Sequence, residues 1–126
     1  MCLSTVFSGH RKRQELAKLP DMVTCWKVVR RKGNQYGSWY KPQIRRGRFL
    51  NGWNETKPQY SIRYRIAFHA FLTKESAYQW RTWCIDNKHP IIRCKTDKKD
   101  IVAIGSQNRN ICIVTQRIWI PKPRKK

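Results

Sequence analysis

Acidic residues are scarce in this chain. Only 7 of the 126 residues are Asp or Glu, against 28 Lys and Arg, so the formal net charge at neutral pH is +21. Self-repulsion at this charge density destabilises a compact domain. A protein with such a charge is therefore expected to work with a polyanionic partner. Nucleic acid is the partner we expect first, because each neutralised phosphate releases counterions and so supplies affinity independent of sequence.

Several other features are missing. No apolar run approaches the roughly 20 residues of a membrane span. The chain has no phosphate-loop glycine pattern, zinc-protease motif or nucleophile elbow, so we expect a protein that is not an enzyme. The five cysteines include no Cys-x-x-Cys pair, which favours reduced thiols, no metal and no cofactor. The short apolar start is followed by its basic residues, not preceded by them, so we expect a cytoplasmic protein without a membrane partner.

What is present predicts a single small α+β domain with a mostly antiparallel twisted sheet. Aromatic residues make up 12% of the chain, enough for a packed core. One main helix is expected at about residues 73–87, capped by Thr73 and ended at Asn87, with His89-Pro90 preventing its continuation. We expect a lead-in with a short helix at 1–20, the domain at 21–121 and a basic tail at 122–126. The predicted strands cover 22–30, 61–71, 91–95, 100–105 and 110–120, with a hairpin loop at 106–109.

Two of these strands carry explicit face predictions. Alternation in 61–71 places Arg63, Arg65 and His69 together on an exposed face, where they would form a rigid platform for phosphate. A continuous strand over 110–120 would place Cys112, Val114, Ile118 and Ile120 on one face. The opposite face would then hold Ile111, Ile113, Thr115, Arg117 and Trp119.

The segment from Arg30 to Arg65 is the candidate binding region. It holds ten basic residues and one acid, interleaved with glycines and aromatics, and residues 35–60 are interpreted as a long aromatic and basic loop or two short irregular strands. The predicted phosphate contacts are Arg30, Arg31, Lys32, Lys41, Arg45, Arg46, Arg48, Arg63 and Arg65. The predicted base-stacking residues are Trp39, Tyr40 and Trp53, with His69 as a possible polar site.

About half of the chain resembles small uncharacterised proteins of phages and prophages. The residues that carry the resemblance centre on Ala67-Phe68-His69-Ala70-Phe71, an aromatic-His-Ala-Phe strand that leads into the helix. The usual Gly before the aromatic residue is Ala67 here. The resemblance implies a phage or mobile-element context and transfers no catalytic residue. The His on this strand is also similar to ADP-ribosyltransferase-like folds, although the partner Tyr and Glu motifs of that fold are not identifiable.

These observations lead to one functional expectation with alternatives. We expect a small, non-catalytic protein that binds DNA or RNA, or a host nucleoprotein, through phosphate contacts and base stacking. A phage counter-defence inhibitor of the anti-CRISPR type, acting on a host nuclease or ribonucleoprotein, is the first alternative. A small enzyme is the second, either ADP-ribosyltransferase-like or built on His69 with Cys84 or Cys94.

Overall fold

The computed structural model describes residues 3–37, 49–58, 64–65, 67–84 and 89–123, and gives Lys32, Trp83 and Cys84 by backbone alone. These ranges contain two α-helices, α1 (Gly9–Ala17) and α2 (Lys74–Cys84), and a short 3-10 helix at Lys98–Asp100. The strands are β1 (Thr5–Val6), β2 (Met22–Val28), β3 (Arg30–Lys32), β4 (Gln35–Gly37), β5 (Gly52–Glu55), β6 (Phe68–Phe71), β7 (Ile91–Asp97), β8 (Ile101–Gln107), β9 (Asn110–Thr115) and β10 (Arg117–Ile120). All strand pairs among the described residues are antiparallel, which confirms the small α+β domain with an antiparallel sheet.

The main sheet curls strongly. Its order is β1-β8-β9-β6-β2-β7-β10-β5, while β3 and β4 form a separate hairpin. Only Gln116 joins β9 to β10, yet four strand spacings separate them in this order, about 19 Å in a flat sheet. Two residues of chain span at most about 7 Å, so the sheet must curl until β9 and β10 meet. At this corner the hydroxyls of Thr96 and Thr115 are 2.8 Å apart, and both bond the Arg117 carbonyl.

The inner face of the curled sheet forms the larger hydrophobic core. In it Ile113 packs in the same cluster as Ile118 and Ile120, whereas Cys112 belongs to the core on the outer face. The predicted faces of a continuous 110–120 strand are therefore wrong. The alternation changes phase at Gln116, because the chain leaves its neighbours β8 and β6 there and pairs with β7 and β5 instead. Trp119 consequently lies on the outer face.

Helix α2 covers part of the outer face. Thr73 Oγ1 accepts a hydrogen bond from the Ser76 amide at 3.1 Å, which confirms the predicted N-cap. Ala77 and Trp80 lie at helical spacing and are both buried, and the Trp80 ring lies 6.1 Å from that of Phe71. The predicted short helix of the lead-in is α1, so the described part of the chain contains two α-helices instead of one main helix. Among the described residues, neither helix is long and apolar enough to cross a bilayer.

Two predicted segments differ from the expectation. Within 61–71, only Phe68–Phe71 is a described strand, and all four of its residues are buried. Strand β6 lies between β9 and β2 in the middle of the sheet, with the inner core on one side and the core under α2 on the other. Within 35–60, strands β4 and β5 form, while residues 38–48 and 59–60 lie outside the described ranges, as do 61–63 and 66.

Candidate nucleic-acid interface

An open cleft lies on the outer face beside α2. Its floor comes from three neighbouring strands, with Trp26 on β2, Arg93 on β7 and Trp119 on β10. The register pairs Trp26 with Arg93 and Trp119 with Lys95. Alternate residues of a strand share a face, so Arg93 and Lys95 stand on the same side of the sheet as both indoles. The cleft has a volume of about 610 Å³.

The lining of this cleft is basic. Four cationic side chains reach it from different elements: Arg31 from β3, Lys74 from the start of α2, Arg93 from β7 and Lys122 from the segment after β10. These four residues are far apart in the sequence, and the fold brings them together. None of the described residues that line the cleft is acidic. The cleft therefore presents a concentrated positive potential, which in a concave surface attracts anions more strongly than on a flat one.

Two tryptophan rings in this region carry ammonium groups above them. Lys74 Nζ lies 5.7 Å from the centroid of the Trp26 ring, and Lys95 Nζ lies 4.7 Å from that of Trp119. Both rings are half-buried. A cation–π contact at an exposed site contributes about 0.5–1 kcal/mol, so another π-system can replace the ammonium at small cost. Each of these two rings thus has one weakly held ammonium over it.

Trp53, a predicted stacking residue, is in a different situation. The Arg117 guanidinium lies 3.9 Å above the centroid of its ring. That guanidinium is held by two carboxylates, with Arg117 Nε 3.2 Å from Glu55 Oε1 and Arg117 Nη1 3.1 Å from Asp97 Oδ2. Covering by a doubly bridged arginine makes this ring a poorer platform than Trp26 or Trp119.

The other predicted phosphate contacts have mixed outcomes. Arg30, Arg31 and Lys32 form β3, and Arg31 lines the cleft, whereas the Arg30 side chain is half-buried. Arg65 is exposed and lies outside any described strand. The remaining predicted contacts lie outside the described residues: Trp39, Tyr40, Lys41, Arg45, Arg46, Arg48 and Arg63.

His69 is buried, with 5% of its surface exposed, which corrects the prediction of an exposed platform residue. Its Nδ1 lies 3.1 Å from the Ala67 carbonyl, which can only accept, so we assign the proton to Nδ1. Its Nε2 then accepts from the Tyr64 hydroxyl at 3.0 Å, and the Tyr64 oxygen accepts the Leu3 amide at 3.0 Å. Burial, and next the Lys27 ammonium, lower the pKa of His69 to about 3. This histidine is a neutral link between the N-terminal segment and β6.

Lys27 is a buried ammonium on the inner face. Its Nζ donates to the His69 carbonyl and lies 5.6 Å from the centroid of the Phe49 ring. Burial lowers the pKa of Lys27. Within the described residues, β2 pairs with β6 only at Trp26 and Phe71. We interpret Lys27 as a structural donor to a strand carbonyl.

The described cysteine thiols are structural as well. Cys25, Cys94 and Cys112 are free and buried. Burial raises the pKa of Cys94 and of Cys112 to about 12, and it raises that of Cys25 well above the ordinary value. The thiolate is the nucleophilic form, so these thiols are unreactive at neutral pH. The two ring nitrogens of His69 are both occupied, Nε2 by the Tyr64 hydroxyl and Nδ1 by the Ala67 carbonyl. This excludes the hypothesised catalytic pair of His69 with Cys94. The side chain of Cys84 lies outside the described part of the structure.

The residues that sequence reasoning missed are spread along the chain. Trp26 and Trp119 fall within the predicted strands 22–30 and 110–120, and Lys122 falls within the predicted basic tail, none of which predicts a binding role for them. Arg93 and Lys95 alternate on the predicted strand 91–95, and this period-two spacing is a local signal from which their common face could have been predicted. Among the described residues, no group of three or more His, Cys, Asp or Glu is arranged to hold a metal ion.

Comparison with known proteins identifies no relative. No protein family model matches the chain, and neither the curated proteins nor the solved structures contain a significant match.

Proposed function

We propose that this protein binds nucleic acid through the cleft, as a binding protein without catalysis. The observation that carries the proposal is the lining: four cations from four elements, two half-buried indoles on the floor, and no acid among the described residues that line it. Lys and Arg contact phosphate oxygens, while indole faces accept bases. This combination of charges and aromatic surface fits nucleic acid better than an acidic protein, which offers carboxylates but no repeating planar bases.

The net charge of +21 supports the same proposal. Arg31, Lys74, Arg93 and Lys122 are positioned to neutralise about four phosphates. For a single strand, the slope of log affinity against log salt is about −0.7 for each neutralised phosphate. Four contacts correspond to a slope near −3, which is a loss of affinity of about 50-fold between 50 and 200 mM salt.

The decisive experiment is a salt titration of binding with charge-matched variants. Single-stranded DNA, duplex DNA and RNA probes are titrated with the wild type and with the double variant Arg93→Ala, Lys122→Ala. A double variant Arg13→Ala, Lys99→Ala removes the same charge from exposed positions that do not line the cleft. We expect the cleft variant to lose more affinity and more of the salt slope than this control.

Three results would count against the proposal. Absence of binding at low salt rejects nucleic acid as the ligand. Equal losses in the two double variants would assign the affinity to the overall charge instead of the cleft. A host protein that still co-purifies after nuclease digestion, together with absent binding of the purified protein to the probes, would favour the counter-defence alternative.

A further inference from the structure

Two aromatic rings flank a basic residue across three strands on the floor of the cleft. Trp26 stands on β2, Arg93 on β7 beside it, and Trp119 on β10 beyond β7. Trp26 and Trp119 are separated by two strand spacings of about 4.8 Å each and by a two-residue offset of about 6.8 Å along β7. Their Cα atoms are therefore about 12 Å apart. The arrangement along this diagonal is aromatic, cationic, aromatic.

This spacing matches a short piece of one nucleic-acid strand. A helically stacked strand advances about 3.4 Å for each nucleotide, so 12 Å corresponds to three or four nucleotides. Bases that stack on Trp26 and Trp119 would therefore belong to one segment of about four nucleotides, whose intervening phosphates pass Arg93. A duplex offers no such contact, because its bases are already stacked on one another and paired.

We propose that the cleft selects single-stranded nucleic acid, with one base stacked on Trp26, another on Trp119, and the backbone between them held by Arg93. The proposal rests on the proposed function. On binding, each base takes the ring face over which Lys74 or Lys95 now lies, and the displaced ammonium is left beside the phosphates of the same segment. Trp53 takes no part, because the doubly bridged Arg117 covers it.

The test compares probes that have the same number of phosphates but differ in their bases. Fluorescence anisotropy measures the affinity of the full chain for labelled dT12, rU12, an abasic 12-mer and a 12-base-pair duplex. Stacking contributes about 1–3 kcal/mol for each base, which is about 5- to 150-fold in affinity. We expect the wild type to bind dT12 and rU12 at least tenfold more tightly than the abasic strand.

Variants then assign the discrimination to particular rings. Trp26→Leu and Trp119→Leu should each lower the ratio of dT12 to abasic affinity about fivefold or more and leave abasic affinity nearly unchanged, since the phosphate contacts remain. Trp26→Phe should retain most of the ratio, and Trp53→Leu should leave it unchanged as the matched control. Trp26 also packs against the core under α2. If Trp26→Leu does not fold, the ratio measured with Trp119→Leu decides the question.

The outcomes separate this inference from the proposed function. Equal affinity of the wild type for dT12 and the abasic strand, or an unchanged ratio in Trp119→Leu, overturns single-strand selection. If Arg93→Ala still weakens binding to every probe in that case, the cleft remains a phosphate-binding surface and only the inference fails. If no probe binds at low salt, both fail. Unequal binding of dT12 and rU12 identifies DNA or RNA as the preferred source of the strand.

Discussion

Acidification should destabilise the folded protein through His69. The pKa of this buried imidazole is about 3 in the folded chain, against an ordinary value of 6.5. Between these two values the unfolded chain binds a proton that the folded chain does not, so stability increases with pH across this window. The contribution is complete above about pH 6.5 and is lost as the pH falls toward 3. At pH 5 the linkage relation gives a loss of about 2 kcal/mol relative to pH 7.5.

The measurement is urea denaturation of the wild type and of His69→Gln at pH 7.5 and at pH 5. The glutamine amide oxygen can still accept from the Tyr64 hydroxyl, but the side chain does not titrate. Carboxylates and other groups contribute to both proteins alike, so the difference between the two pH dependences isolates His69. We expect the wild type to lose about 2 kcal/mol more than the variant. An independent NMR titration should show the His69 ring neutral down to about pH 4.

Two results would refute the reasoning. The first is an equal pH dependence of unfolding free energy in the wild type and in His69→Gln. The second is a His69 titration midpoint near 6.5 in the folded protein, because that value requires an imidazole in contact with water. Either result would mean that the bonds to Tyr64 and Ala67 do not enclose the ring as the structure has them.

Three substitutions test other parts of the fold. In Gly105→Ala the new methyl carbon would lie 2.0 Å from the Thr5 carbonyl oxygen, so β1 must move. We expect the free energy of unfolding in urea to fall by about 1–3 kcal/mol. Unchanged stability would contradict the close approach of β1 to β8. Thr73→Ala removes the bond to the Ser76 amide and should cost about 0.5–2 kcal/mol, whereas Thr73→Ser should cost little; equal losses in both would argue against a capping role. Burial lowers the pKa of Lys27. The unfolding free energy of the wild type should therefore rise relative to that of Lys27→Met as the pH increases from 7.5 to 9.5. A constant difference in unfolding free energy between the two proteins would show that this amino group is solvated.

Elements that depend on local signals were predictable from the sequence. Helix α2 begins where Thr73 can cap it, and its apolar residues recur at helical spacing, so neighbours within one turn determine both features. The β8–β9 hairpin was also predicted from its loop residues 106–109, and within that loop Asn108 and Arg109 adopt positive φ angles of 49° and 68°.

Burial of a strand face was not predictable in the same way. Alternation in Phe68–Phe71 separates two sets of side chains but does not say whether either set meets water. His69 bonds the Tyr64 hydroxyl, whose oxygen also accepts the Leu3 amide, and Leu3 comes from a segment more than 60 residues earlier in the chain. Only the packing of that segment against the sheet distinguishes a buried histidine from an exposed one.

The cleft could not be located from charge density along the chain, for a physical reason. Charge density along the chain records only cations that are close to one another in the sequence. Arg31, Lys74, Arg93 and Lys122 are far apart in the sequence, and they approach one another only when the tertiary fold forms. Trp119 joins them because the alternation changes phase at Gln116, which turns its ring outward while Ile118 and Ile120 remain in the core. The Ile111–Val114 stretch is apolar at every position and gives no sign of that change, so the position of this ring depends on the curl of the sheet.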